Sequence, residues 1–187
     1  MLSPALLESA LTSKVSDFND VRKSLLGRVF HVTRLSSVNS ILAAGGLIPN
    51  RFGFRSPLGD NADSYFRAIG CVSFFDYRGH KSKEWRKFHR ECCPTRVIHH
   101  DDPAVVMFLG PEHHTKLIDW TSWKIEGRWE QSVVPYVEVG FPGQVEHNMI
   151  TEVRIWEHAN PELGRFLAVM DQRGRELQSR AQTSRSS

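Results

Sequence analysis

Residues 27–50 carry the clearest pattern of apolar and polar positions in the chain, and this pattern predicts a strand followed by a helix. Residues 28–32 are mostly apolar and predict a short buried strand, after which the chain turns polar. Four apolar residues then recur at the spacing of one helical face: Leu35, Val38, Ile41 and Leu42. Ser36 can cap this helix by accepting a backbone N–H, and the glycines at 45–46 end it. We therefore predict that His31 lies at a strand end, where its side chain can face a cleft.

Two further helices are predicted before this segment. Residues 3–11 start with Ser3-Pro4, which puts proline at the first helical position, and their apolar stripe is Leu6, Leu7, Ala10 and Leu11. Residues 17–26 carry a second stripe, formed by Phe18, Val21, Leu25 and Leu26, and Gly27 ends that helix. Both helices are expected to be packing elements.

Strand patterns dominate the later part of the chain. Residues 68–76 predict a strand with Val72 and Phe74 on one side and Ser73, Phe75 and Tyr77 on the other. Residues 105–109 predict a buried strand, residues 131–139 an edge strand broken by Pro135, and residues 140–143 a turn. Residues 149–156 predict a strand with one side formed by Ile150, Glu152, Arg154 and Trp156. A final helix is expected from residue 160 onwards.

The order of these elements predicts an α+β fold. Helices dominate the first fifty residues and strands the second half, which is typical of a domain with a mainly antiparallel sheet. At 187 residues the chain is long enough to bury a sizeable core in one domain. We predict a single domain over residues 1–178 and a disordered polar tail over residues 179–187.

Composition favours a cytoplasmic globular protein. Hydrophobic residues make up 40% and charged residues 24% of the chain, and no apolar run is long enough to cross a membrane. The first residues lack the basic and apolar segments of a secretory leader. Three cysteines, two of them adjacent at 92–93, do not predict a disulfide framework.

Residues 51–67 predict a long loop in which arginines alternate with aromatic residues. The arginines are Arg51, Arg55 and Arg67, and the aromatic residues are Phe52, Phe54, Tyr65 and Phe66. Guanidinium groups bind phosphate and aromatic rings stack on bases, so this composition suits an anion that carries a flat base. The alternative is a mobile loop with a few packed aromatic side chains.

Residues 81–90 predict a short basic helix. Trp85 and Phe88 are three positions apart, and the opposite face exposes Lys83, Arg86, Lys87 and Arg90. Such a face could meet nucleic-acid phosphates, or it could be only a solvated surface. The formal net charge of +3 permits a polyanionic partner without demanding one.

Several classes of site lack their sequence patterns. The nine histidines include adjacent pairs at 99–100 and 113–114, but no His-x-x-x-His or Cys-x-x-Cys spacing occurs, so no metal site is predicted. No Gly-x-Ser-x-Gly motif is present for a hydrolase nucleophile. The Walker loop and the dinucleotide Gly-x-Gly-x-x-Gly motif are also absent, which argues against NTPase and Rossmann functions.

The segment GRVFHVTRLSSVNSILAAGGLIPN, residues 27–50, resembles the opening motif of the ADP-ribosyltransferase superfamily. The likeness consists of His-x-Thr at a strand end, a helix of the type L-x-x-V-x-x-I-L, and Gly-Leu-Ile-Pro. It is similar to the bacterial branch that modifies nucleic acids, namely DNA-targeting toxins and phage-defence proteins, and more distantly to tRNA 2'-phosphotransferases. The resemblance implies an α+β domain with a mainly antiparallel split sheet.

The resemblance also implies NAD as co-substrate and assigns residues to it. His31 would bind a ribose of NAD and act in catalysis, the backbone of Val32 would hold the nicotinamide carboxamide, and Thr33 and Arg34 would add contacts. The remaining candidates for NAD binding are Gly46, Arg51, Ser73, Phe75 and Tyr77, the last three as a wall near the nicotinamide. A carboxylate that stabilises the cationic ribose is required, and Glu152 is the first candidate and Glu138 the reserve.

From this resemblance we expect NAD-dependent transfer of ADP-ribose to a macromolecule. Nucleic acid is favoured over protein as acceptor, and a bacterial toxin or phage-defence protein, with an antitoxin as a further partner, is the implied setting. Two alternatives stay open. The same site could hydrolyse NAD with water as acceptor, or the domain could bind nucleic acid or protein without catalysis.

Overall fold

The computed structural model describes residues 11–15, 18–51, 63–90, 92, 94 and 102–158. Its strands are β1 (Leu11–Val15), β2 (Val29–Arg34), β3 (Gly46–Leu47), β4 (Cys71–Asp76), β5 (Ala104–Leu109), β6 (Ile118–Asp119), β7 (Glu138–Pro142), β8 (Val145–Glu146) and β9 (Ile150–His158). Its α-helices are α1 (Phe18–Leu25), α2 (Leu35–Ala43), α3 (Tyr65–Ala68), α4 (Lys83–Phe88) and α5 (Thr121–Glu126). Two 3₁₀ helices span Pro111–Lys116 and His147–Met149.

Seven of the strands form one sheet in the order β1-β9-β5-β2-β4-β7-β6. Neighbouring strands are antiparallel except for β1 and β9, which pair in parallel. A separate antiparallel pair is formed by β3 and β8. The predicted α+β class with a mainly antiparallel sheet is therefore confirmed.

The large sheet is covered on both faces. On one face, here called the α1 face, Phe30, Phe75 and Phe108 pack with Val21 and Leu25 of α1. On the other, here called the α2 face, an equally apolar set packs with Val38 of α2 and Leu47 of β3, and it comprises Val29, Val72, Phe74, Val105, Met107 and Val153. Since side chains alternate between the faces along each strand, the position of a residue in its strand decides which layer it joins.

The elements before β2 differ in part from the predictions. The helix expected over residues 17–26 is confirmed as α1, and Gly27, with a φ of 79°, follows it. Residue 11 was assigned to the first helix, but it begins β1, a strand that reaches its partner β9 nearly 150 residues later in the chain. The rest of that helix, the helix after residue 160 and the tail at 179–187 lie outside the described residues, so the single domain over residues 1–178 stays a prediction.

The start of α2 also differs from the prediction. The helix begins at Leu35, and Ser36 is its second residue rather than its cap. Its first turn is capped by a residue from elsewhere in the chain. The carboxylate of Asp102 accepts hydrogen bonds from the backbone N–H of Ser36 at 3.0 Å and from the Ser36 hydroxyl at 2.6 Å. A carboxylate near a helix N-terminus is stabilising, so the long-range contact replaces the predicted local one.

Strand β7 lies later in the chain than predicted. Residues 131–137 are irregular, with an isolated bridge from Ser132 to Ser64 and a turn at 135–137, and the strand occupies residues that were assigned to a turn at 140–143. The predicted edge position is also wrong, because β7 pairs with β4 on one side and with β6 on the other. Gly140 lies inside the strand, where a Cβ would be 2.4 Å from the Phe66 ring. The glycine therefore permits α3 to lie directly on the sheet.

Replacing Gly140 with alanine is expected to destabilise the protein by about 1–3 kcal/mol, since the added methyl group overpacks the contact with α3. The control is Gly79→Ala, where the nearest atom to an added Cβ is 3.9 Å away. The free energy of unfolding, measured with urea, should change by no more than about 0.5 kcal/mol for this control. Equal effects of the two substitutions would contradict the packing argument.

Strand β9 matches the prediction in extent but not in alternation. Glu152, Arg154 and Trp156 pair with Phe108, Val106 and Ala104. Register partners share a face, so these three side chains lie on the α1 face. Ile150 was predicted to share their side, but it packs in the α2-face core. A register shift between Phe108 and Leu109 accounts for the difference, because a bulge reverses the alternation.

In the described part of the chain, no helix is both long enough and apolar enough to span a membrane.

Candidate functional site

The two central strands β2 and β4 part along their length. Their ladder contains two register pairs, Val29 with Asp76 and Phe30 with Phe75. By contrast, β2 makes five register pairs with β5, and β4 makes five with β7. Beyond Phe30 the edges of β2 and β4 that face each other are therefore free of ladder pairing, and His31 is the first residue of β2 past this point.

The ring of His31 spans the opening between the two strands. Its Nδ1 lies 2.9 Å from the carbonyl oxygen of Ser73, and its ring centroid is 5.8 Å from that of Phe74. A carbonyl oxygen only accepts hydrogen bonds, so Nδ1 carries the proton and donates it. Burial lowers the pKa of His31, and the hydrogen bond to Ser73 only partly opposes this effect. The imidazole is therefore neutral at pH 7, and its Nε2 is an acceptor.

The residues that follow His31 differ in exposure. Val32 and Thr33 are buried, which leaves only the backbone of Val32 for the predicted contact with the nicotinamide carboxamide. Arg34 is half-exposed, and its Nη1 lies 4.0 Å from the carboxylate of Asp102, the residue that caps α2. This segment is thus held between the sheet and the start of α2.

The predicted aromatic wall does not surround His31. The alternation predicted for β4 is confirmed, but it places Phe75 and Tyr77 on the α1 face, whereas His31 lies on the α2 face with Phe74. Phe75 is 7% and Tyr77 is 3% exposed, and both rings pack against Phe30 in the core. Of the three wall candidates, the structure brings only Ser73 to His31, through its carbonyl group.

Gly46 has a structural explanation. Its φ is 151°, and a Cβ at this position would lie 2.1 Å from the carbonyl oxygen of Val145 on β8. Glycine is therefore required for the close approach of β3 to β8. The NAD contact that the resemblance assigns to Gly46 stays a prediction.

An open cavity of about 490 Å³ lies at the amino-terminal end of β4 and is lined by Arg51, Arg67, Ala68, Ile69 and Gly70. Gly70 lies against the guanidinium of Arg51, and a Cβ there would be 2.1 Å from Nη2. Because β2 and β4 are antiparallel, this is the end of the sheet at which the two strands part. Two guanidinium groups beside a cavity form a suitable site for phosphate. The aromatic residues Tyr65 and Phe66 of the predicted loop instead lie in α3 and are buried, so they offer no exposed ring to a base. The residues of that loop at 52–62 lie outside the described residues.

Glu152 belongs to an ion-pair network on β9. Arg28 Nη2 donates to Glu152 Oε2 at 2.7 Å, and Arg154 Nε donates to Oε1. The guanidinium carbon of Arg28 also lies 3.4 Å from the centre of the Phe108 ring. Burial opposes ionisation of Glu152, but the hydrogen bonds from the two arginines outweigh it and hold the pKa of its carboxyl below the usual range. Both carboxylate oxygens are therefore engaged by cations.

Glu138 occupies a different environment at the start of β7. Its Oε2 accepts the backbone N–H of Val134 at 2.8 Å. Burial raises the pKa of Glu138 above the ordinary value, and the bond from Val134 opposes this only in part. Glu138 therefore holds its proton to a higher pH than an exposed glutamate, in contrast to Glu152.

The two glutamates mark the ends of one row across the α1 face. Each residue of this row is the register partner of the next, and the row runs from Glu152 through Phe108, Phe30 and Phe75 to Glu138. The two glutamates are four strand spacings apart, roughly 19 Å. His31 follows Phe30 in β2, so its side chain points to the opposite face from Glu152. Glu138 shares the α1 face with Glu152, so the structure brings the His31 ring together with neither glutamate.

The positions of the two glutamates in the strand order differ relative to the opening between β2 and β4. Glu138 lies on β7, directly next to β4, whereas Glu152 lies on β9 and is separated from β2 by β5. Sequence reasoning missed Arg28 as a partner of Glu152. The alternation along residues 28–32 indicates that Arg28 and Phe30 share a face of the sheet. Only the strand order shows that Glu152 of β9 lies on that same face, within reach of Arg28.

The described residues contain no group of three or more His, Cys, Asp and Glu side chains that could hold a metal ion. Cys93 and the histidine pair at 99–100 lie outside them. Comparisons with protein-family models, with curated proteins and with solved structures found no match for this chain.

Proposed function

We propose that this protein is an ADP-ribosyltransferase-like enzyme that cleaves NAD and transfers ADP-ribose to a nucleic acid. The observation that carries the proposal is the parting of β2 and β4 at His31, the residue that the resemblance assigns to NAD. A toxin or phage-defence role, with an antitoxin as a further partner, follows from the resemblance alone.

The proposed role of His31 is to hold a ribose hydroxyl. Its Nδ1 is already bound to Ser73, which fixes the ring and the tautomer. The neutral ring then offers Nε2 as an acceptor, and a ribose hydroxyl is a donor that matches it. Burial keeps the imidazole neutral, so this acceptor persists at physiological pH.

The proposed phosphate site is the cavity beside Arg51 and Arg67. A dinucleotide has two adjacent phosphates, and guanidinium groups bind phosphate through paired N–H donors. The cavity and the parting of the strands lie at the same end of the sheet. This arrangement suits a ligand whose ribose reaches His31 while its phosphates remain at the arginines.

We assign the catalytic carboxylate to Glu138 in preference to Glu152, which was the first candidate from the sequence. Both oxygens of Glu152 are bound by arginines, and the residue lies on the far side of β5 from the opening. Both carboxyls lie on the α1 face, opposite to the His31 ring, so the choice between them rests on strand order and on their partners. Glu138 lies on β7, next to β4, and among the described residues one of its oxygens is bound, by the backbone N–H of Val134. A carboxyl with a raised pKa is also suited to exchanging a proton with an acceptor.

In the proposed reaction the bond between ribose C1' and the nicotinamide nitrogen breaks, and its electron pair neutralises the pyridinium ring. The positive charge that develops on the ribose is stabilised by the ionised carboxylate. A nucleophilic atom of the acceptor then bonds to C1', and its proton passes to the carboxylate and onward to solvent. Water in place of the acceptor would give free ADP-ribose.

Mass spectrometry of an oligonucleotide incubated with the protein and NAD tests the transfer. We expect an added mass of one ADP-ribose on the oligonucleotide, together with released nicotinamide. Free ADP-ribose without modified oligonucleotide would show that the protein hydrolyses NAD and does not transfer ADP-ribose. Intact NAD in the presence of nucleic acid and of protein acceptors would overturn the enzymatic proposal and favour a non-catalytic binding domain.

A further inference from the structure

A second surface of the protein combines positive charge with aromatic rings, of which Tyr136 is exposed and Phe88 and Trp120 are half-buried. It consists of the exposed side of α4 and an adjoining group of rings, and it is here called the basic aromatic surface: Lys83, Arg86, Lys87, Phe88, Arg90, Trp120 and Tyr136. All four cationic side chains are exposed, and none forms an ion pair with another described residue. The proposed NAD site uses none of these residues.

The charges on this surface are arranged at a cost to the helix. Lys83 and Lys87 are four positions apart on α4, and side chains at this spacing are neighbours on one helical face, whereas Arg90 lies in the turn after the helix. Like charges at this spacing destabilise a helix by a few tenths of a kcal/mol per pair. The only carboxylate on α4 is Glu84 in the first turn. A polyanionic partner would turn this repulsion into attraction.

The helix that carries these charges is fixed to the sheet. Trp85 is 1% exposed, and its indole Nε1 donates to the carbonyl oxygen of Asp76 at 3.0 Å. Its ring packs edge-on against Tyr77 and stacks on His89 at 4.4 Å. Ser82 caps the helix by accepting the backbone N–H of Trp85 at 3.1 Å. The cationic face is therefore presented by a rigid element.

Aromatic rings continue the surface from the end of α4. Lys87 Nζ lies 5.2 Å from the ring centre of Phe88, which stacks on Tyr136 at 5.6 Å with an interplanar angle of 25°. Tyr136 also contacts Trp120, with ring centres 4.7 Å apart. A flat ring stacked beside cations is the arrangement that binds unpaired bases next to their phosphates.

The backbone at Tyr136 supports a role for its exposed ring. Tyr136 is 39% exposed, and its φ of 64° lies in the left-handed region that disfavours side chains with a Cβ. Two hydrogen bonds between Val134 and Glu138 hold the turn. The backbone N–H of Glu138 donates to the carbonyl oxygen of Val134 at 3.0 Å, and the backbone N–H of Val134 donates to the carboxylate of Glu138 at 2.8 Å. Such strain is characteristic of functional turns.

We propose that the basic aromatic surface binds single-stranded nucleic acid, with the cations of α4 on the phosphates and Tyr136 stacked on a base. Single strands are favoured because a base must be unpaired to stack on a protein ring. The inference rests on the proposed function in so far as it makes this strand the acceptor. Glu138 follows Tyr136 by two residues, so a strand stacked on Tyr136 would lie near the proposed catalytic carboxylate.

Fluorescence anisotropy with labelled strands of about 16 nucleotides tests the binding without NAD. The probes are single-stranded DNA, single-stranded RNA and a DNA duplex of the same sequence. We expect the wild-type protein to bind at least one single strand more tightly than the duplex. Arg86→Gln/Lys87→Gln should weaken binding about tenfold and reduce the slope of log Kd against log salt by about 1.4, because each cation lost removes one phosphate contact and each contact on a single strand contributes about 0.7.

Tyr136→Ala should weaken binding at least about fivefold with little change in the salt slope, since it removes a stacked base and no charge. The matched control is Arg22→Gln/Lys116→Gln, which removes the same charge from exposed positions elsewhere. Equal losses in control and test variants, a duplex bound as tightly as the single strands, or no binding to any probe would each overturn the inference. Unfolding midpoints of all variants show whether they fold.

A failure of this inference is distinguishable from a failure of the proposed function. NAD cleavage without nucleic-acid binding would overturn only the inference that the basic aromatic surface binds nucleic acid. Binding that follows the expected variant order, with NAD left intact, would support the surface and remove the enzymatic proposal. Arg86→Gln/Lys87→Gln should leave nicotinamide release in the absence of nucleic acid unchanged, since neither residue contributes to the proposed NAD site.

Discussion

Replacing Glu138 with glutamine is expected to slow nicotinamide release from NAD by about 100-fold or more, the usual contribution of a positioned acid or base. The same substitution at Glu152 is expected to leave the rate within about threefold of wild type, because that carboxylate is bound by two arginines away from the opening. Glutamine keeps a carbonyl oxygen that can accept the N–H of Val134, so the turn before β7 should persist. Steady-state release by the two matched variants gives the comparison.

The pH profile provides an independent check on the same assignment. Catalysis requires the ionised carboxylate, so activity falls as pH drops through its pKa. Because burial raises the pKa of Glu138, an acidic limb that reports Glu138 lies above 4.5, whereas one that reports Glu152 lies below it. Loss of activity in Glu152→Gln, with the activity of Glu138→Gln unaffected, would assign the catalytic carboxylate to Glu152.

Replacing His31 with alanine is expected to lower kcat/KM for NAD by about 10- to 100-fold. The substitution removes the acceptor proposed for the ribose hydroxyl, and the loss of a hydrogen bond from a buried partner costs about 1–3 kcal/mol. It also removes the donor to Ser73, so the opening between β2 and β4 loses the side chain that spans it. The measurement is nicotinamide release over a range of NAD concentrations.

His113→Ala is the control for this substitution, because that histidine lies on the 3₁₀ helix after β5 rather than at the opening. It should leave kcat/KM within about twofold of wild type. Unfolding midpoints for both variants separate a loss of binding from a loss of folding. A His31→Ala protein that folds and keeps the wild-type kcat/KM would refute the proposed ribose contact.

The elements that could be predicted from the sequence are those whose pattern is local. Strand β2 and helix α2 follow from apolar spacing within residues 28–42, and α4 follows from Trp85 and Phe88. Strand β2 nevertheless continues to Arg34 through its pairing with β5, so His31 lies inside the strand and not at its end as predicted. Strand β7 could not be placed in this way, because its glycine at 140 looks like a turn residue until α3 is known to lie on it. The cap on α2 comes from Asp102, 66 positions away, and no local pattern indicates it.

The candidate site shows the same division. His31 is found from its own segment, but its partner Ser73 is 42 residues away, and the parting of the strands depends on how β2 and β4 pair. Glu138 and Glu152 both fall in strand-like segments in the later part of the sequence, so their sequence contexts do not separate them, although Glu138 in fact begins β7. The strand order does separate them, since it places one beside β4 and the other beyond β5.

The most direct test of the central claim is nicotinamide release from NAD by the purified protein, with and without single-stranded nucleic acid, beside Glu138→Gln. We predict release by the wild-type protein that increases with nucleic acid and is lost in the variant. No release under either condition, together with no NAD binding by calorimetry, would contradict the account and leave a domain that binds nucleic acid without catalysis.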